Sequence, residues 1–438
     1  MEIDKTTLDD LSILNIEDDF SIFNKMNFCR TAGGKHKLFL NFSTPLNTIE
    51  QIEGIQDTLK AILAKEQYWP EQISNGSVMV IEKFYGATID DIPEFPSAAG
   101  ALSYKLIHGP DFSYVKYSTE HAFDFIKGMQ QMVAHFLTDD APAPMKRLLI
   151  SAAGIINKPQ FEIVNQHNKS AILPIAKQLS LAHFIRYRYK QNIIDLMDIY
   201  YQLDGWYGMA MAVKQFNLIF PKFTQEQKPL LKVKGLFHIL LPQPVAYDVA
   251  LLPDKNFLFL TGANMAGKST FIKAVGTAVF LAHVGMGVPA STMELSFFDG
   301  LLSNINVIDN IVKGESYFYN EVQRIKSTVQ KISDGRNWLI LIDELFKGTN
   351  VQDAMKCSTT VIEGFLKIKN TAFILSTHLY EIGEPLRQHP NIIFNYFETA
   401  VNNDELVFNY QLKEGISNDR LGYLILKNEG VVEMLRKL

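Results

Sequence analysis

Ten residues, Thr261 to Thr270, read TGANMAGKST and set Gly262 five positions before a Gly267-Lys268-Ser269 triplet. That spacing suits the binding of a phosphate. Glycines at either end let the backbone curl until its N–H groups converge on an anion. Between them, Ala263, Asn264, Met265 and Ala266 form the body of the loop. Lys268 would neutralise β- and γ-phosphate charge, and Ser269 would offer its hydroxyl to Mg²⁺. A helix starting at Thr270 would aim its positive end at the same point. The rival reading is a chance glycine-rich turn. It does not account for an apolar strand-like run before the loop and a helical pattern after it.

Two further groups suit nucleotide hydrolysis. Asp343-Glu344 end an apolar run, LIDEL. There Asp343 would hold Mg²⁺ through water, and Glu344 would orient an attacking water as a base. The alternative is an ordinary strand terminus with solvated acids. His378, in STHLYE, follows another apolar run and occupies the place of a γ-phosphate sensor, although a lone histidine is more often structural. Lys268 and Asp343 stand 75 positions apart, which leaves room for an inserted lobe. Within that gap lies VKGESYFYNEV, whose Gly314-x-Ser316 resembles a signature that caps a γ-phosphate from a partner subunit. Ser316 would otherwise cap the next helix.

The elements that must position these groups change character near residue 230. Beyond it, NFLFLTG, WLILIDE and TAFILSTH are near-continuous apolar runs between helical stretches, which predicts parallel strands covered on both faces. Before it, helical spacing dominates. Thr48 to Trp69 reads as a helix capped by Thr48, and Ser118 to Leu137 as another. Pro174 to Phe216 reads as one helix of about 40 residues, reaching about 60 Å. Pro142 to Lys146 and Phe220 to Pro229 read as linkers.

The composition is globular: 438 residues, 47% hydrophobic and 20% charged, enough for two or three domains. The net charge of −5 excludes a globally basic nucleic-acid binder, so any such contact needs a local patch. The best candidate is His183 to Asn192, where Arg186, Arg188 and Lys190 alternate with Tyr187 and Tyr189. On a helix these cations spread over more than one face, and a solvated helix with inward aromatics is the competing reading. Cys29 and Cys357 match neither a zinc spacing nor a disulfide framework, and the N-terminus has no apolar signal core, so a cytoplasmic setting is expected. The most apolar run, Ala274 to Ala290, is short for a membrane span and reads as a buried helix, so no membrane partner is expected.

Together the motifs resemble the DNA mismatch repair MutS family, within the ABC-type ATPase superfamily. The family loop is close to GPNMGGKST, against GANMAGKST here, with Asn264 and Met265 the telling pair. Gly285, Val288, Pro289 and Ala290 fit its post-loop turn, and Asp343, Glu344, Gly348 and Thr349 fit its acidic motif. Thr377, His378, Tyr380 and Glu381 fit its switch with the tyrosine displaced by one position. Gly314, Ser316, Phe318 and Glu321 fit its partner-capping stretch. The likeness is closest from about 235 to 425. It continues more loosely through TTLDDLSIL, TPLNTIEQIEGIQDTLKAIL and LDGWYGMAMAV.

The resemblance implies an α/β ATPase domain of ABC-type P-loop fold preceded by a mainly α-helical core/lever domain. The expected division is 1–95, core; 96–230, lever with a reduced clamp; and 231–438, ATPase. It implies ATP and Mg²⁺ as cofactors, with Glu344 and His378 in hydrolysis and Gly262 to Thr270 around the nucleotide. Mg²⁺ would sit on Ser269 and near Asp343, and Ser316 would complete the site of the neighbouring subunit in a homodimer. The implied partners are double-stranded or branched DNA and repair proteins. The chain opens where the family's core domain would open, and no phenylalanine is followed two residues later by glutamate. The family's Phe-x-Glu reading of mismatches is therefore not expected. Loop position 266 is alanine where the family has glycine, and Leu421-Gly422 replaces Tyr-Gly near the C-terminus. A nucleotide-gated scaffold that binds a protein partner without touching DNA is the alternative. A transport ATPase is disfavoured by the absence of Leu-Ser-Gly-Gly-Gln.

Overall fold

The computed structural model describes residues 1–14, 20–169, 172–306, 317–402, 405–417 and 426–436. The chain forms two compact units, one of Met1–Lys25, Thr44–Ile52 and Phe216–Leu438, the other of Met26–Ser43 and Glu53–Gln215.

The first unit is built on strands β1 (Glu2–Ile3), β2 (Lys222–Phe223), β3 (Leu231–Leu236), β4 (Tyr247–Leu251), β5 (Phe257–Gly262), β6 (Thr292–Leu295), β7 (Gly300–Asn304), β8 (Trp338–Asp343), β9 (Thr371–Ser376), β10 (Ile392–Asn402) and β11 (Glu405–Glu414). Seven of them form one sheet in the order β1-β7-β8-β9-β5-β10-β11. Every pairing in it is parallel except β10 with β11. All residues of β5, β8 and β9 are buried, as their continuous apolar runs require. Ile340 and Ile342 join a core with Phe365 and Ile362 of the Val351–Phe365 helix and Ile325 and Ile332 of the Tyr317–Ile332 helix. Leu341 points the other way. There a Cβ on Gly276 of the Lys268–His283 helix would lie 2.6 Å from its Cδ1, so the glycine admits close helix–sheet contact. That helix is the buried one anticipated between Ala274 and Ala290, although it ends at His283. Strands β2, β6, β3 and β4 make a second, four-stranded sheet. In β4, buried and exposed residues alternate, as for a strand covered on one face.

The second unit contains helices and no strand among its described residues. The expected cap at Thr48, a residue of the first unit, is present, its hydroxyl accepting Gln51 N at 3.2 Å. The helix expected from Ser118 begins earlier and spans Gly109–Phe136. Pro142 to Lys146 is not a linker: Pro142 precedes the first turn of the Ala143–Ile156 helix, a position where its missing N–H costs nothing. The single long helix expected over Pro174 to Phe216 is also corrected. The segment is an α-helix over Ile175–His183, a π-helical turn over Phe184–Arg188, and an α-helix over Lys190–Gln215. Tyr189 N bonds to Phe184 O at 2.9 Å, one residue beyond the α-helical register. Side-chain contacts favour the wider turn: Phe184 stacks on Tyr189 at 5.0 Å, and Phe161 meets both rings edge-on. Helical spacing carries no trace of such contacts.

Candidate functional site

Strands β8, β9 and β5 are adjacent and parallel, so the groups at their C-terminal ends converge on one edge of the sheet. The loop leaves β5 through Gly262, at φ +137°, and enters the Lys268–His283 helix through Gly267, at φ +107°. Both values lie where a side chain is strained. Ala266 is absent from the positive-φ residues, whereas Met265 has φ +67°. Alanine therefore fits the loop because its neighbour makes the left-handed turn.

Lys268 is buried, and its Nζ donates to Gly262 O at 2.8 Å and Ala263 O at 2.9 Å. Burial lowers its pKa, while Glu344 and Asp343 oppose that shift. Ser269 Oγ donates to Asp343 Oδ2 at 2.5 Å, and Ser376 Oγ donates to Asp343 Oδ1. A serine hydroxyl beside a carboxylate offers hard oxygen donors, which fit Mg²⁺ with water completing its shell. Among the described residues no group of three or more His, Cys, Asp or Glu could hold a metal by itself.

Glu344 follows β8 at φ +63°, and Phe346 two residues on has φ +59°. Its Oε1 lies 2.6 Å from His378 Nε2 and its Oε2 3.1 Å from Lys347 Nζ. Burial pushes the Glu344 pKa up, but His378 and Lys347 outweigh it and hold the carboxyl at about 2. Glu321 is buried on the Tyr317–Ile332 helix and accepts Lys347 N at 3.1 Å and Gly348 N at 3.3 Å.

Beside the loop is a cavity of about 390 Å³. Leu241, Val245 and Tyr247 line it together with Tyr410 from β11 and the loop residues Asn264, Met265 and Gly267 to Thr270. Tyr247 packs edge-on against Phe271 and Phe397, both at 5.6 Å. Sequence reading did not single out Tyr247, Tyr410 or Ser376. Ser376 could have been found as the last residue of a predicted strand beside the one ending at Asp343. Tyr410 carries no local signal, since only strand pairing brings β11 over the loop. Ser316, Gly314 and Leu421-Gly422 lie outside the described residues.

In the helical unit the basic segment is largely engaged. Arg186 donates to Phe84 O and to Ala87 O (2.6 Å) at the C-terminal end of the Asn75–Gly86 helix, and its guanidinium lies over the Phe84 ring. Arg188 meets Glu94 at 3.5 Å, and Lys190 lies over the Tyr85 ring.

Residues 258–435 match the family model described as MutS domain V. Over 247 residues the chain is 28% identical to the DNA mismatch repair protein MutS of Petrotoga mobilis. Its C-terminal part is thus similar to MutS proteins. The Petrotoga alignment covers 56% of this chain and 30% of that protein. A second MutS, from Pseudothermotoga lettingae, is 28% identical over 236 residues, 52% of this chain and 28% of the relative. The chain thus spans less than a third of the length of these MutS relatives. The MutS domain V match takes in the glycine-rich loop, Asp343, Glu344 and His378.

Proposed function

We propose that this MutS-like chain binds and hydrolyses ATP with Mg²⁺, and that the nucleotide controls its grip on double-stranded or branched DNA in repair or recombination. The observation that carries the reading is the convergence of the 262–270 loop, the Ser269–Asp343 pair and the Glu344–His378 pair on one edge of the sheet. The fold assigned to this unit is the ABC-type P-loop fold. Its division from residue 231, with the core over 1–95 and the lever over 96–230, is part of the proposal, as is a cytoplasmic setting.

In this reading the loop N–H groups and Lys268 bind the phosphates, while the cavity walls of Val245, Tyr247 and Tyr410 take the base. Ser269 and Asp343 would hold Mg²⁺, which supplies charge neutralisation when bound. Glu344 is ionised at neutral pH. As an ionised carboxylate it accepts a hydrogen bond from the attacking water and orients it. His378 holds the Glu344 carboxylate and senses the γ-phosphate. Ser316 of a second copy would complete the site, making ATP a clamp between two ATPase faces.

The test is ATP turnover without DNA and with homoduplex, mismatched duplex or a branched junction, at two salt concentrations. Stimulation by a junction that fades with salt supports the reading, because phosphate contacts weaken steeply as counterions compete. Basal turnover unchanged by any DNA at either salt refutes the DNA part. It would favour the second reading, a nucleotide-gated scaffold for a protein partner, for which the engagement of Arg186 with backbone carbonyls speaks.

A further inference from the structure

Two buried carboxylates take no part in the steps above, and both bind backbone next to the site. Asp10 closes the Lys5–Asp10 helix and is 2% exposed. It accepts Ser303 Oγ at 2.5 Å, Ile305 N at 3.1 Å and Asn306 N at 3.1 Å, which fixes the chain where it leaves β7. Thr7 on the same helix accepts Ser303 N at 2.9 Å. Arg324 reaches Asp10 Oδ2 at 3.4 Å and donates to Ser303 O at 2.5 Å. Three residues before Arg324 on the same helix stands Glu321, also 2% exposed, which accepts Lys347 N and Gly348 N. Lys347 in turn pairs with Glu344. Burying two carboxylates is costly, and apolar side chains would join helix to sheet at least as stably. What carboxylates add is direction: each fixes specific N–H groups. The turn that Glu321 holds needs this, since Glu344 and Phe346 beside it both have positive φ, and Asp10 acts on it only through Arg324 of the Glu321 helix.

We infer that Asp10 and Glu321 are positioning residues for hydrolysis: through Arg324 and the Lys347–Gly348 turn, the N-terminal segment sets the direction of the Glu344 carboxylate. The inference rests on the ATPase reading above. It is tested on the full chain with Asp10→Asn, Glu321→Gln and the double variant. For each, kcat and KM for ATP and amide hydrogen exchange over residues 345–350 are measured. Misdirecting Glu344 lowers kcat by on the order of tenfold to a hundredfold, as small misplacements of reacting groups do. KM stays within about twofold, because phosphate binding does not use Glu344. Exchange at 345–350 quickens in both single variants, and the double variant is no slower in turnover than the worse single. Should Asp10→Asn not fold, Glu321→Gln carries the test. Variants that keep the parent's kcat, raise KM alone, or multiply their effects when combined overturn the inference. A parent chain without turnover overturns the ATPase reading and the inference with it, whereas an active parent with unaltered variants overturns the inference alone.

Discussion

At the residue scale, the site depends on groups whose charge state is set by their neighbours. Glu344 stays ionised because His378 and Lys347 hold it against its own burial. Glu344→Gln keeps the shape and removes the charge. It is expected to lower ATP turnover by about a hundredfold or more while nucleotide binding persists, as read by equilibrium binding beside a turnover assay. Loss of both together would place Glu344 in binding instead. His283 is the opposite case. Fully buried among Phe223, Phe297 and Phe298, it bonds to Val279 O at 2.8 Å through Nδ1 and accepts Phe298 N at 3.1 Å through Nε2, so it is neutral. Burial drives its pKa down to about 3. As pH falls below about 6.5 the unfolded chain takes up a proton that the folded chain refuses. This histidine therefore removes about 1.4 kcal/mol of stability per pH unit until the pH reaches about 3. His283→Leu leaves Phe298 N–H without its acceptor and costs about 1–3 kcal/mol at pH 7, but it abolishes that slope. Urea unfolding at several pH values measures both effects. An unchanged slope in the variant would assign the acid sensitivity elsewhere.

At the element scale, the entry to the Lys268–His283 helix is a glycine that no other residue replaces well. Gly267 has φ +107°, and a Cβ there would lie 3.3 Å from Tyr410 Cδ1. Gly267→Ala adds about 1–2 kcal/mol of backbone strain, enough to weaken ATP binding by about tenfold. The fold around it rests on buried strands and should melt within a few degrees of the parent. Titration with a fluorescent ATP analogue checks this, and unaltered affinity would mean that the loop adapts. Ala266 in the same loop is tolerated without strain because Met265 makes the left-handed turn beside it.

At the scale of the whole molecule, the proposed composite site ties hydrolysis to self-association. A chain of 49.7 kDa carrying Glu344→Gln should about double in mass by light scattering when ATP is added, since a clamp that cannot hydrolyse its nucleotide stays closed. A monomer with ATP bound would place the γ-phosphate cap within one chain and remove Ser316 from the site. The net charge of −5 belongs at this scale too: it gives no general attraction to nucleic acid, so any DNA binding would have to come from a local surface.

The loop, the Asp343-Glu344 pair, His378 and the buried strands were legible in the sequence because each is encoded within about ten residues. Glycine spacing, an apolar run and the polar residue ending it are dictated by local backbone geometry. The family likeness was legible for the same reason, since its motifs are contiguous. What joins those motifs was not. Tyr410 reaches the cavity beside the loop only because β11 pairs with β10 beside β5. Asp10 meets Ser303 across 293 positions of chain, and Glu321 meets the Lys347–Gly348 backbone across a helix–sheet interface. The π-helical turn at Phe184–Arg188 follows from ring packing and from the engagement of Arg186 with Phe84 and Ala87 carbonyls. The sequence by itself determined which residues could do the chemistry and which strands could carry them, because those are short-range properties. The tertiary structure alone decided what walls the cavity and what holds Glu344 in its direction, because contacts between distant segments leave no periodicity or spacing to read.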